Sequence, residues 1–122
     1  MKFEVLEVAR EMVRSAVPLL RKLVQVDRHL EDQLRRALVS VPSKIAEGNR
    51  RLGKDRIYLF STAAGSADEA INHLQIAVAL GYLSDGEISA TAALADRVLA
   101  MLYRLGVGLA ASGRRATGSR GR

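Results

Sequence analysis

The sequence has no cysteine and no tryptophan, and its 122 residues include two prolines, two histidines, three tyrosines and two phenylalanines. Without thiols there is no disulfide, no thiolate nucleophile, no Fe–S cluster and no zinc finger. Two imidazoles, His29 and His73, are the whole supply of histidine ligands or bases. With 4% aromatic residues, a core has to be built from Leu, Val, Ile and Ala. Long apolar runs are missing too. The longest stretch free of Asp, Glu, Lys and Arg, Ala70 to Ser84, contains Asn72, His73 and Gln75, and it falls short of the roughly 20 residues of a membrane span. Glu4 and Glu7 stand where a signal peptide carries its apolar run. These absences point to a cytoplasmic protein with no membrane partner.

What is present is 48% hydrophobic and 26% charged, the composition of one globular domain long enough to bury a core. The net charge of +6 is uneven. Residues 1–27 carry +1, residues 28–56 carry +4, residues 57–112 carry −3 and residues 113–122 carry +4. Such basic clusters attract polyanions by releasing condensed counterions; a solvated helix face is the alternative for residues 28–56. The last ten residues are Gly, Ser, Thr, Ala and Arg, a composition that predicts a disordered tail after a domain spanning 1–112.

Four segments repeat apolar residues at steps of three and four, the period of an α-helix. The first uses Leu6, Ala9, Val13, Val17, Leu20 and Val24, with Pro18 predicting a kink. Asp27 reads as an N-cap. The second uses Leu30, Leu34, Ala37 or Leu38, Val41, Ile45 and Leu52, with a bend expected at Pro42. The third runs from Ile57 to Val78 after a break at Gly53, with Asp55 as its candidate cap and Gly81 as its stop. Ser84-Asp85-Gly86 reads as a turn that caps the fourth, which runs from Ile88 to Leu109. Helices of about 20 to 28 residues, each about 30–42 Å long, joined by short connections, predict an all-α, antiparallel, up-down-up-down four-helix bundle. The extra apolar width of the third and fourth helices predicts an oligomer.

Sites for chemistry are scarce. No Glu-x-x-His pair of a carboxylate di-iron bundle occurs: Val26 precedes His29 by three and Ala70 precedes His73 by three. Glu69 and His73 share a helix face but make neither a metal site nor a triad. Gly48-Asn49-Arg50-Arg51-Leu52-Gly53 lacks the ending of a phosphate loop. The reading is that the chain is not an enzyme and takes no cofactor. Two polar clusters stand out: Ser40, Lys44 and Glu47 in the second helix, and Gly65, Ser66 and Glu69 in the third. Mid-helix Gly and Ser are compensated by close helix approach or a buried hydrogen bond, so the clusters form either a structural polar network between the two helices or a ligand site.

Gln33-Leu34-Arg35-Arg36-Ala37, Ser40-Val41-Pro42-Ser43-Lys44-Ile45-Ala46-Glu47-Gly48, and Gly65-Ser66-Ala67-Asp68-Glu69 followed by Leu80-Gly81-Tyr82-Leu83 resemble the four-helix-bundle proteins encoded by intervening sequences of bacterial 23S ribosomal RNA genes. The resemblance runs over about residues 3–112. The accessory variability determinant of diversity-generating retroelements is related and shares the fold. The resemblance implies a bundle assembled as a homopentameric ring and, in the retroelement branch, a positive surface that engages a reverse transcriptase and RNA. One position departs from the family run: its Asn is Lys44 here, three residues before Glu47, where an ion pair takes the place of the amide's hydrogen bond.

Together these readings lead to a non-enzymatic, oligomeric protein that binds RNA or DNA by charge and shape. Arg35, Arg36, Arg50, Arg51, Lys54 and Arg56 are the expected phosphate contacts, supplemented by Arg114, Arg115, Arg120 and Arg122. Of the aromatics Phe3, Tyr58, Phe60, Tyr82 and Tyr103, most fall on apolar faces, leaving little for base stacking and weak sequence preference. The alternative is a protein-interaction scaffold whose basic face docks an acidic partner such as a reverse transcriptase.

Overall fold

The computed structural model describes residues 3–107. Among them are four α-helices and no strand: α1 Glu4–Val26, α2 Arg28–Asn49, α3 Gly53–Ala79 and α4 Asp85–Arg104. Consecutive helices pack on one another and α1 packs on α4, which closes an antiparallel four-helix bundle. The antiparallel senses are fixed by contacts between distant residues. Lys22 at the end of α1 meets Glu87 at the start of α4, 2.9 Å away. Ser15 of α1 and Thr91 of α4 share a hydrogen bond of 2.8 Å, and Ser66 of α3 donates to Ser40 of α2 at 2.9 Å. Thr91 is 1% exposed, so its hydroxyl depends on Ser15 for a partner.

The connections are short, and each has a chemical reason. Asp27 alone separates α1 from α2: its N–H donates to the Leu23 carbonyl while its carboxylate accepts from the Leu30 N–H at 3.0 Å. It ends one helix and caps the next. Gly81, at φ +78, ends α3. The Tyr82 N–H reaches the Ala77 carbonyl and the Gly81 N–H reaches Val78, the pairing of a Schellman turn. Ser84 then caps α4 with a reciprocal capping box: its hydroxyl accepts from the Glu87 N–H and the Glu87 carboxylate accepts from the Ser84 N–H.

Several sequence expectations are corrected in detail. The core face of α1 is Val5, Val8, Ala9, Met12, Ala16, Leu19 and Leu23. The stripe through Leu6, Val13, Val17, Leu20 and Val24 is half-buried and lies one residue round the helix. Both stripes keep the helical period, and a periodic pattern on so wide an apolar arc does not say which stripe faces the centre. Pro18 and Pro42 stand inside α1 and α2, as expected. Leu52 does not extend α2, which ends at Asn49; it is the N-cap residue of α3, a position expected for Asp55, and it is 84% exposed. α4 ends at Arg104, where Leu105 and Gly106, at φ +111, close it. Leu109, the boundary at 112 and the tail 113–122 lie outside the described residues. Among the described residues no helix is long and apolar enough to cross a membrane.

Candidate nucleic-acid interface

The α2–α3 turn is built on a close contact beneath it. Gly48, in the last turn of α2, lies so near α3 that a Cβ there would sit 2.8 Å from two ring carbons of Phe60 and 3.2 Å from the Leu59 Cβ. Only a residue without a side chain lets the two helices meet at this depth. The Phe60 ring is fully buried and stacks on Phe3, with centroids 6.1 Å apart. The Arg56 guanidinium lies over both rings, 5.2 Å from Phe60 and 5.9 Å from Phe3. Cation–π attraction of this kind ties the start of α1 to the start of α3. Arg56, expected to reach a phosphate, is half-buried here with its charge directed at two aromatic faces.

Above this base the turn itself points outward. Arg50, Arg51 and Lys54 are exposed. Arg51 stands 3.8 Å from Glu47, which is also 3.8 Å from Lys44; such long, solvated pairs hold a cation weakly. Arg50 and Lys54 make no ion pair among the described residues. Tyr58, one helical turn beyond Lys54, is 70% exposed. The sequence reading did not single it out. The signal was there, since Lys54 four residues before and Thr62 four residues after put Tyr58 on a polar stripe.

Arg35 and Arg36 are not part of this group. They lie about 22 Å back along α2 by helical rise. They are also engaged locally: Arg35 with Asp32 at 2.6 Å and Glu31 at 3.3 Å, and Arg36 with Asp32 at 2.8 Å. Of the ten expected nucleic-acid contacts, the structure brings Arg50, Arg51 and Lys54 together, sets Arg56 beneath them and holds Arg35 and Arg36 apart. Arg114, Arg115, Arg120 and Arg122 lie outside the described residues.

The two polar clusters also separate. Ser40 and Ser66 form the one hydrogen bond between them. Lys44 and Glu47 make the expected ion pair on the surface of α2. Glu69 is exposed and stands apart from both. Gly65 faces open space, with no close helix approach. His73 has a buried Nδ1 without a partner, His29 is exposed, and among the described residues no cluster of three metal-ligating side chains occurs.

A second surface feature runs along α1 and α2. Leu6 and Val13 face Val39, Pro42 and Ala46 across a groove of about 490 Å³, with Arg10 and Arg14 on its rim. A further hollow of about 220 Å³ lies between Val17, Leu20 and Val24 and the side chains of Arg21, Glu31 and Arg35. The half-buried stripe of α1 therefore lines an open apolar seam.

Comparison with known proteins places this arrangement. The family model described as 23S rRNA-intervening sequence protein matches residues 1–104. A crystal structure of a protein of unknown function from the S23 ribosomal protein family of Bacteroides thetaiotaomicron is similar, with a TM-score of 0.76 at 18% identity, over 83% of this chain and 96% of that one. At that identity the likeness speaks for the fold. No curated protein matches the chain.

Proposed function

The chain belongs to the 23S rRNA-intervening sequence protein family, and from that premise we propose that it is a non-enzymatic protein that binds structured RNA through the α2–α3 end of its bundle. The observation that carries this reading is the cluster of exposed Arg50, Arg51 and Lys54 on a turn whose own stability comes from the Gly48–Phe60 contact below it. Arg50 and Lys54 make no ion pair among the described residues and the Arg51–Glu47 pair is long and solvated, which leaves these cations to meet phosphates. The family description, which ties the parent genes to ribosomal RNA, supports RNA as the polyanion. The Arg-rich tail adds loose electrostatic contacts.

The α1–α2 groove supports a second element of the reading, assembly into a homo-oligomer, with the five-membered ring as the expected size. An apolar seam rimmed by Arg10 and Arg14 is a surface that a further chain covers. A ring multiplies the positive field of each protomer. The alternative is a scaffold whose basic face docks an acidic protein such as a reverse transcriptase.

The test is titration of a structured RNA at several salt concentrations with the full chain and with Arg50→Glu/Arg51→Glu. The expected result is a steep loss of affinity with salt in the natural chain, and at least a tenfold loss at fixed salt in the variant, with its helical circular dichroism unchanged. An affinity that the double substitution leaves alone rejects this surface. Absence of RNA binding by the natural chain rejects the RNA reading and favours the protein-docking one.

A further inference from the structure

We infer that Tyr58 is a stacking platform for an unpaired base, so that the α2–α3 end selects loops or bulges of RNA over continuous duplex. The inference rests on the RNA-binding reading of this end and names what that site would recognise. Three observations carry it. Tyr58 is 70% exposed on the second turn of α3, more than any other aromatic ring among the described residues. Among the described residues its ring joins no aromatic pair and lies under no cation. Its surroundings are complementary to a polyanion: Lys54 is one turn before it on the same face, and Arg50 and Arg51 lie in the adjoining turn.

The same stripe of α3 also limits the site. Two acids stand at the cationic end, Asp55 in the first turn of α3 and Glu47 beside Arg51 at the end of α2. Beyond Tyr58 come the half-buried hydroxyls of Ser61 and Thr62, the latter donating to the Tyr58 carbonyl at 3.0 Å. Asp68 and Glu69 follow, both exposed, and they repel phosphates. The favourable stretch from Lys54 to Asp68 is therefore about 21 Å of helix surface. A continuous A-form duplex keeps its bases stacked on one another and offers along its sides phosphates, 2′-hydroxyls and base edges but no free base face. An unpaired nucleotide offers a free π-face beside its phosphate, which a tyrosine next to a lysine accepts without reading base identity. Cations and ring thus take the two halves of one nucleotide.

The experiment compares two RNAs of equal length, a hairpin with an unpaired loop and a blunt duplex, against the full chain, Tyr58→Ala and Tyr58→Phe. Because Tyr58 is largely exposed, circular dichroism is expected to be the same for all three proteins. The expected result is that the natural chain prefers the hairpin, that Tyr58→Ala loses about tenfold in hairpin affinity with duplex affinity unchanged, and that Tyr58→Phe keeps the preference. Equal binding of the two RNAs by the natural chain overturns the inference, as does a hairpin affinity that survives Tyr58→Ala. A change in assembly mass on Tyr58→Ala with hairpin affinity intact also overturns it, and makes the ring a protein contact. In those cases RNA binding itself stands. If the natural chain binds neither RNA, the RNA-binding reading fails and this inference falls with it.

Discussion

The two ends of α3 are joined to their neighbours in different ways. At the C-terminal end, Leu80 to Ser84, nearly every residue has a structural duty: Gly81 takes a positive φ, Tyr82 and Gly81 close a Schellman turn, Leu83 is buried, and Ser84 exchanges two hydrogen bonds with Glu87. At the N-terminal end the backbone closes in a comparable way, with the Arg50 and Arg51 N–H groups on the Glu47 and Gly48 carbonyls and Gly53 at φ +58, but the side chains of Arg50 to Leu52 are exposed and the N-cap position has no side-chain hydrogen bond. The fold is held there from below, by Gly48 against Phe60 and by Arg56 over two rings. A turn held by its backbone and by the packing beneath it leaves its side chains available to a partner. The charges differ as well. Around the α2–α3 connection Arg50, Arg51 and Lys54 outnumber Glu47 and Asp55, whereas at the opposite end Glu31, Asp32 and Glu87 are paired with Arg35, Arg36 and Lys22.

The largest effect is expected from removing that support. Gly48→Ala places a Cβ 2.8 Å from the Phe60 ring, and the ring is fully buried, so it has to shift against its neighbours. Overpacking of this kind costs about 1–3 kcal/mol, read as a fall in Tm of roughly 4 °C for each kcal/mol in a domain of this size. RNA affinity should fall along with it, since the turn that carries Arg50 and Arg51 is displaced. A Tm equal to that of the natural chain would mean that the α2–α3 contact is not what holds this end.

Much of the bundle is legible from the residues. Asp27, Gly81 and Ser84 announce three of the helix boundaries because each acts through its own side chain or its own φ. Leu52 misleads because it keeps the period of α2 although the helix has already ended, and nothing local marks Asn49 as the last residue. The inner face of α1 is missed by one residue because Leu6, Val13 and Leu20 are as apolar as Val5, Met12 and Leu19. The difference between them is which neighbour each one meets, a property of the tertiary structure. The candidate site was half legible. Counting charges finds Arg50, Arg51 and Lys54, but it cannot separate them from Arg35 and Arg36, whose acids Glu31 and Asp32 lie one turn away, or from Arg56, whose rings come from distant parts of the chain.

The comparison sharpens when the opposite turn is weakened. Ser84→Ala removes the hydroxyl that accepts the Glu87 N–H at 3.0 Å, and loss of an N-cap costs about 1 kcal/mol. The expected outcome is a lower Tm with RNA affinity unchanged, the reverse of Arg50→Glu/Arg51→Glu. A binding defect in Ser84→Ala would show that the two ends are not independent. Smaller again, and of opposite sign, is Gly65→Ala. An added methyl there meets no atom within 4 Å, so the variant should gain up to about 1 kcal/mol of helix propensity, measured as a raised midpoint in chemical denaturation.

The smallest effect belongs to the charge at the capped end. Glu87 has its carboxyl pKa lowered from the ordinary 4.5, first by the hydrogen bond from Lys22 and then by the N–H of Ser84. A carboxyl that releases its proton more readily in the folded chain stabilises the fold above the unfolded value, and the contribution is lost as pH falls through the folded one. Glu87→Gln keeps an acceptor for the Ser84 N–H but removes the charge that faces Lys22. The Tm of the natural chain should therefore lie slightly above that of the variant at neutral pH, and the two should converge below the carboxylate range. Because both partners are largely solvated, added salt should narrow the neutral-pH gap as well. A gap that persists in acid and in salt would assign the Glu87 contribution to the geometry of the capping box, and the polarity between the two ends of the bundle would then owe nothing to this ion pair.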